Sequence, residues 1–157
     1  MAQNDQWSIL IRSIKFALQS RVTVATKAGA GGSCSSVSLS SAQPPVVWTC
    51  QFGLVSRLNY GNYESMSGII SASAPVTLTF TAFDTEQGYD EVTVSSCPTT
   101  ACSTTVLLLD HYSGSTIPSP LSSSTGIMLI QWQSDLSVTS TGWSATWAGS
   151  PAGVSMS

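Results

Sequence analysis

Only 8 of the 157 residues carry a carboxylate side chain, and four of them, Asp84, Glu86, Asp90 and Glu91, fall within DTEQGYDE. Carboxylates crowded this way repel one another and push up each other's pKa unless a cation joins them. A hard divalent ion such as Ca2+ takes about six to eight oxygens from carboxylates, carbonyls and water, so it can turn that repulsion into a tie between separate loops. Asp84 and Glu86 alternate with Phe83 and Thr85, so both can leave one strand face, and Asp84 is a substitute ligand should Glu86 point away. The plainer reading is a solvated acidic loop.

Other chemistry finds less support. A glycosidase needs two carboxylates facing each other across a cleft, and nothing in the chain suggests a sugar-lined groove. Asp110, His111 and Ser113 are the residue types of a hydrolase triad, but neighbours on a strand point to opposite faces, so His111 is expected as a surface turn histidine. Cys97, Cys102 and His111 lack a fourth ligand for zinc. A non-catalytic protein is expected.

The elements that would position these residues are extended ones. Val76, Leu78, Phe80 and Ala82 alternate with Thr77, Thr79 and Thr81, the pattern of a half-buried strand over 76–83. Segments 92–94, 106–109, 127–132 and 143–147 read as four more strands, with Trp143, Ala145 and Trp147 on one face. Turn clusters such as SGSTIPSP and SSSTG separate them, which predicts an all-β antiparallel sandwich. Trp132, Trp143 and Trp147 belong in its core. Trp7 and Trp48 fall outside this region and are expected at an edge or against a partner.

Composition agrees with that class. Charged residues make up 8%, against about a quarter in ordinary soluble domains, and 30 Ser and 17 Thr take their place. Four of the five basic residues, Arg12, Lys15, Arg21 and Lys27, lie in the first 27 positions; beyond them seven acids face Arg57 alone, a formal charge of −6. That excludes a basic groove for nucleic acid and favours cations or basic partner surfaces. No segment approaches the run of about 20 apolar residues that spans a membrane.

Cys34, Cys50, Cys97 and Cys102 read as two disulfides and hence an extracellular or other oxidising compartment. Four cysteines allow three pairings; proximity favours Cys34–Cys50 and Cys97–Cys102. In SILIRSIKFALQS, Arg12 and Lys15 interrupt any secretory apolar core, and the segment has some character of a transit peptide. Residues 1–33 form a basic arm and Gly/Ser linker, helical if Trp7, Leu10, Ile11, Ile14 and Leu18 share a face, extended if Ile14, Phe16 and Leu18 alternate. The low-complexity stretch AGAGGSCSSVSLSSAQPP reads as linker throughout. The sandwich occupies 34–149 and a tail 150–157.

NYGNY (59–63), VTLTFTAFDTEQGYDEVTV (76–94) and SSSTGIMLIQWQSDLSVTSTGWSATW (122–147), in that order and spacing, resemble a CUB domain. The resemblance implies a jelly-roll-like sandwich of antiparallel strands. In its calcium-binding members a loop Glu, the Asp of a Tyr-Asp pair and the Asp of a Ser-Asp pair converge on one Ca2+. Carried across, the metal ligands are Glu86, Asp90 and Asp135, with Tyr63 in support and carbonyls near Leu136 and water completing the shell; Asp84 and Ser137 are expected to support the site as well. Here the Glu86–Asp90 loop is shorter than in many members, and Cys97 and Cys102 follow the strand where the family often places a cysteine before Tyr-Asp.

Two functions are expected from this. The first is a non-catalytic recognition or adhesion module whose calcium-ordered acidic end meets a lysine or arginine of a protein partner. The second is a structural subunit of a larger assembly, docking its basic arm onto the acidic body of a neighbour.

Overall fold

A computed structural model describes residues 32–103 and 106–150. Ten strands make up the domain: β1 (Ser33–Val37), β2 (Val46–Trp48), β3 (Phe52–Leu58), β4 (Ser65–Ser71), β5 (Val76–Asp84), β6 (Glu91–Ser96), β7 (Leu107–Tyr112), β8 (Leu121–Ser123), β9 (Ile127–Gln133) and β10 (Gly142–Gly149). They form two five-stranded sheets, ordered β1-β3-β10-β5-β8 and β2-β4-β9-β6-β7. Six of the strand pairs are antiparallel, as expected; β1 with β3 and β2 with β4 run parallel at one edge of each sheet, so both sheets are mixed. Among the described residues no helix is long and apolar enough to cross a membrane.

The inward positions of both sheets fill one core of Val, Ile, Leu, Phe and Trp side chains. Trp132, Trp143 and Trp147 are buried, and Trp143 sits edge-on to Phe80. Each such ring removes about 150–250 Å² from water, so three of them dominate the energetics of a domain this size. Trp48, expected at an edge or a partner surface, instead stacks on Trp147 at 5.9 Å inside the core. It fits because Gly68 carries no side chain: a Cβ there would lie 2.2 Å from the Trp48 ring. Trp7 lies outside the described residues.

The serine-rich stretch read as linker is part of the sandwich. Ser33–Val37 forms β1, Leu39 is buried, and Ser40 bridges to Ser67. Composition misled here because β1 is an edge strand with mostly solvent-facing serines, so it shows no apolar alternation. Cys34 bonds to Cys50 and Cys97 to Cys102. With both sulfurs oxidised, the pair at 97 and 102 is unavailable for zinc.

One irregularity sets the direction of the acidic side chains. The β5–β10 register shifts between Ser144 and Ala145, which face Ala82 and Phe80, so Thr81 is the extra residue of a bulge. The alternation expected to bring Ala82 inward is thereby reset: Ala82 is exposed, while Phe83 and Thr85 are buried. Asp84 and Glu86 then leave the core side at the end of β5.

Candidate metal centre

Strand register brings three connecting loops to one end of the sandwich. Gly142, the first residue of β10, pairs with Leu58 at the end of β3 and with Asp84 at the end of β5. Gln133, the last of β9, pairs with Ser65 and Glu91, the first residues of β4 and β6. The β3–β4, β5–β6 and β9–β10 loops therefore share a tip, and Gly142 lets β10 begin there: its φ is +87° and a Cβ would meet the Arg57 carbonyl at 2.0 Å.

The β5–β6 loop closes as one turn, with the Asp90 N–H donating to the Glu86 carbonyl at 3.2 Å. Residues four apart on a turn lie on the same side, which is how so short a loop still sets Glu86 beside Asp90. Thr85 anchors it from below. Its buried hydroxyl donates to the Asp90 carbonyl at 3.0 Å and accepts from the Gly114 N–H at 2.9 Å. The Ser113 hydroxyl accepts the Gly88 N–H at 2.9 Å.

Across the tip, the Asp135 N–H donates to Asp90 Oδ1 at 2.9 Å. The Asp135 side chain folds back to accept the Ser137 N–H at 2.9 Å, the local turn chemistry that short Asp side chains favour. Carboxylate oxygens of Glu86, Asp90 and Asp135 lie within 4.8 Å of one another. Asp90 is fully buried, and among the described residues its Oδ2 has no hydrogen-bond partner; the same is true of Glu86 Oε2. Partial burial, and then the charges of Asp135 and Asp90, push the Glu86 carboxyl above its ordinary value. Buried oxygens without donors are rare and costly. A divalent cation held between the three carboxylates would satisfy both, so the donor set fits a hard ion such as Ca2+.

The tyrosine of the site is Tyr60, where Tyr63 was expected. Tyr63 is 77% exposed and contributes only its N–H, to the Asp135 carbonyl at 2.7 Å. Tyr60 is 3% exposed, packs edge-on against Trp132, and accepts the Glu86 N–H at 3.2 Å. Burial, and then the neighbouring Asp90 carboxylate, push its phenol up to about 12. NYGNY offers two tyrosines, and no local signal separates them; only the end of β3 at Leu58 turns the first inward.

Asp84 stands apart from the cluster. Its carboxylate accepts the hydroxyls of Ser140 and of Thr141, the latter at 3.0 Å, and these bonds hold it below the usual carboxylate range. It ties β5 to the β9–β10 loop in place of serving as a spare ligand. Ser137 contributes its main-chain N–H. His111 lies on the exposed edge strand β7 and not in a turn. The Asp110 carboxylate accepts the His111 main-chain N–H while Ser113 serves the acidic loop, so the three do not form a triad.

A profile of the CUB domain matches residues 69–147. Among solved structures, the CUB1-EGF-CUB2 region of human MASP-1/3 matches with a TM-score of 0.58 and 21% identity, covering 73% of this chain and 43% of that one. The chain thus spans less than half of that three-domain structure. The MASP-1 CUB2 domain, solved bound to Ca2+, matches at 0.55 and 22%, over 66% of this chain and 96% of its own. The extracellular region of zebrafish Gpr126/Adgrg6 matches at 0.53 and 26%, over 66% of this chain and 14% of its own. No curated protein sequence matches. An all-β sandwich of two mixed sheets, the profile match and the shared fold lead to one conclusion: the chain belongs to the CUB domain family.

Proposed function

We propose that this domain is a non-catalytic protein-recognition module that binds one Ca2+ through Glu86, Asp90 and Asp135 and presents that tip to a basic residue of a protein partner. The observation that carries the reading is the Asp90 carboxylate: fully buried, bonded at Oδ1, and unpartnered at Oδ2 within reach of two further carboxylates. An uncompensated buried charge is strongly unfavourable, and a cation resolves it. The Ca2+ in the MASP-1 CUB2 structure supports the same reading. The charge of the domain points to the partner, since Arg57 is the only lysine or arginine among the described residues and Glu64 holds it. Two disulfides accord with a role in an oxidising, extracellular setting.

The basic arm on which an assembly role was expected to rest lies outside the described residues. Melting curves of the unmodified domain and Asp90→Ala, each in Ca2+ and in EGTA, test the proposal. Calcium raises the melting temperature of the unmodified domain and leaves the variant unmoved; equal curves for the unmodified domain in both buffers contradict it.

A further inference from the structure

Glu64 ends the β3–β4 loop and is bonded to the β9–β10 loop that supplies Asp135, yet none of its oxygens belongs to the carboxylate cluster. It is mostly buried at the start of β4, and its side chain meets three separate parts of the fold. Arg57 of β3 donates to it from Nε at 2.7 Å and again from a terminal nitrogen. The Gly61 N–H donates to Oε1 at 2.8 Å, and the Trp132 indole of β9 donates to Oε2 at 2.9 Å. Burial pushes this carboxyl up, but the bonds from Arg57, Gly61 and Trp132 outweigh it and hold it below its ordinary value. The Arg57 guanidinium is raised in turn by its bond to Glu64.

The backbone around Glu64 continues the stitching. Its N–H donates to the Ser134 hydroxyl at 2.9 Å, the Ser134 N–H returns to the Glu64 carbonyl at 3.0 Å, and the Ser134 hydroxyl donates to the Gly61 carbonyl at 2.7 Å. Tyr63 N–H to Asp135 carbonyl and Asn62 Nδ2 to Leu136 carbonyl, at 2.7 and 2.9 Å, extend the seam. Gly61 follows Tyr60, whose phenol accepts the Glu86 N–H; Ser134 precedes Asp135. The two residues that Glu64 fastens are thus direct neighbours of that tyrosine and of the third carboxylate.

The turn it organises is not one the chain adopts freely. Asn59 and Tyr63 both have positive φ, 48° and 58°, a region that non-glycine residues enter only when surroundings over-determine it. We infer that Glu64, locked by Arg57, is a positioning residue of the metal centre: it sets Tyr60 and Asp135 in place before the ion arrives. The inference rests on the calcium reading of the carboxylate cluster. Residues one shell out from a metal commonly change its affinity by about 10- to 100-fold when replaced, because the ligands must be held in the binding geometry.

Calorimetric titration with Ca2+ tests this on the unmodified domain, Glu64→Gln, Arg57→Lys and Val94→Ala. Val94 is buried in β6 away from the tip, so its variant reports the effect of lowered stability alone. A readout free of metal accompanies it: amide hydrogen exchange at Tyr63 and Asp135 in EGTA. Glu64→Gln is expected to weaken binding at least about tenfold and to speed exchange at both amides. Arg57→Lys keeps the charge but loses the fork, and shifts both readouts less, in the same direction; Val94→Ala lowers the melting temperature with calcium affinity unchanged. Should the unmodified domain bind no Ca2+, the calcium reading itself fails. Should it bind while Glu64→Gln matches it in affinity and exchange, only the positioning role falls. Loss of folding in Glu64→Gln together with unchanged affinity in Arg57→Lys would assign the pair to fold stability and overturn the inference as well.

Discussion

Asp90 and Asp135, 45 residues apart in the chain, meet head-on: the main-chain N–H of Asp135 donates to Asp90 Oδ1 at 2.9 Å. That bond fixes the β9–β10 loop against the β5–β6 loop and leaves the other Asp90 oxygen buried with nothing to accept. One oxygen of the carboxylate joins the two loops, and the other is the one that the proposed cation would take.

The two tyrosines of NYGNY take different places in the fold: Tyr60 is buried and Tyr63 exposed. Tyr60→Phe removes the acceptor of the Glu86 N–H and the hydroxyl beside Asp90, a loss of about 1–3 kcal/mol for a buried group, and weakens calcium binding. Tyr63→Ala changes stability by no more than about 0.5 kcal/mol. Urea denaturation and calcium titration of both variants read this directly. Tyr60 also has a pH signature. Its folded pKa of about 12 exceeds the ordinary 10.0, so its contribution to stability is complete below the ordinary value and is lost as pH rises through the folded one. Tyr60→Phe should flatten the fall in melting temperature across that alkaline window.

Glu86 should behave in the opposite sense to a typical paired carboxylate. Its pKa is raised by partial burial and by Asp135 and Asp90, so the stability it confers is present below the ordinary Glu value and lost as pH climbs through the raised one. At neutral pH without calcium its charge works against the fold. Glu86→Gln therefore raises the melting temperature in EGTA and abolishes the increment from calcium. A lower melting temperature in EGTA would show that the three carboxylates do not repel.

The disulfides should differ in weight. Cys34–Cys50 closes a separation of 16 residues and fastens β1 beside β3, whereas Cys97–Cys102 closes only 5. Loop-closure entropy assigns about 3 kcal/mol to the first and less to the second. Urea denaturation of Cys34→Ser/Cys50→Ser and of Cys97→Ser/Cys102→Ser, compared with the unmodified domain, should show the first pair costing more.

Much of this was legible in the residues because two-residue alternation is a strong signal wherever one strand face is buried. Segments 127–132 and 143–147 became β9 and β10 with one or two residues added at their ends. Strands β1, β2, β3, β4 and β8 were not named from the sequence: β1 is a serine-rich edge that needs no apolar face, and Phe52–Leu58 and Ser65–Ser71 do not alternate cleanly between apolar and polar residues. The three carboxylates that converge were named from motif order. The parts that position them were not: Tyr60 and Glu64 act through contacts with Trp132, distant in sequence, and the Thr81 bulge that turns Phe83 and Thr85 inward exists only in the pairing with β10. Register and burial, not residue type, chose between Tyr60 and Tyr63.

In the proposed site Glu86, Asp90 and Asp135 share one cation. Isothermal titration with Ca2+ of the unmodified domain and of Glu86→Gln, Asp90→Asn and Asp135→Asn tests it most directly. Saturable binding with a stoichiometry of one is expected in the unmodified domain, with its loss or severe weakening in all three variants. Absence of binding in the unmodified domain, or undiminished binding in Asp90→Asn, would contradict it.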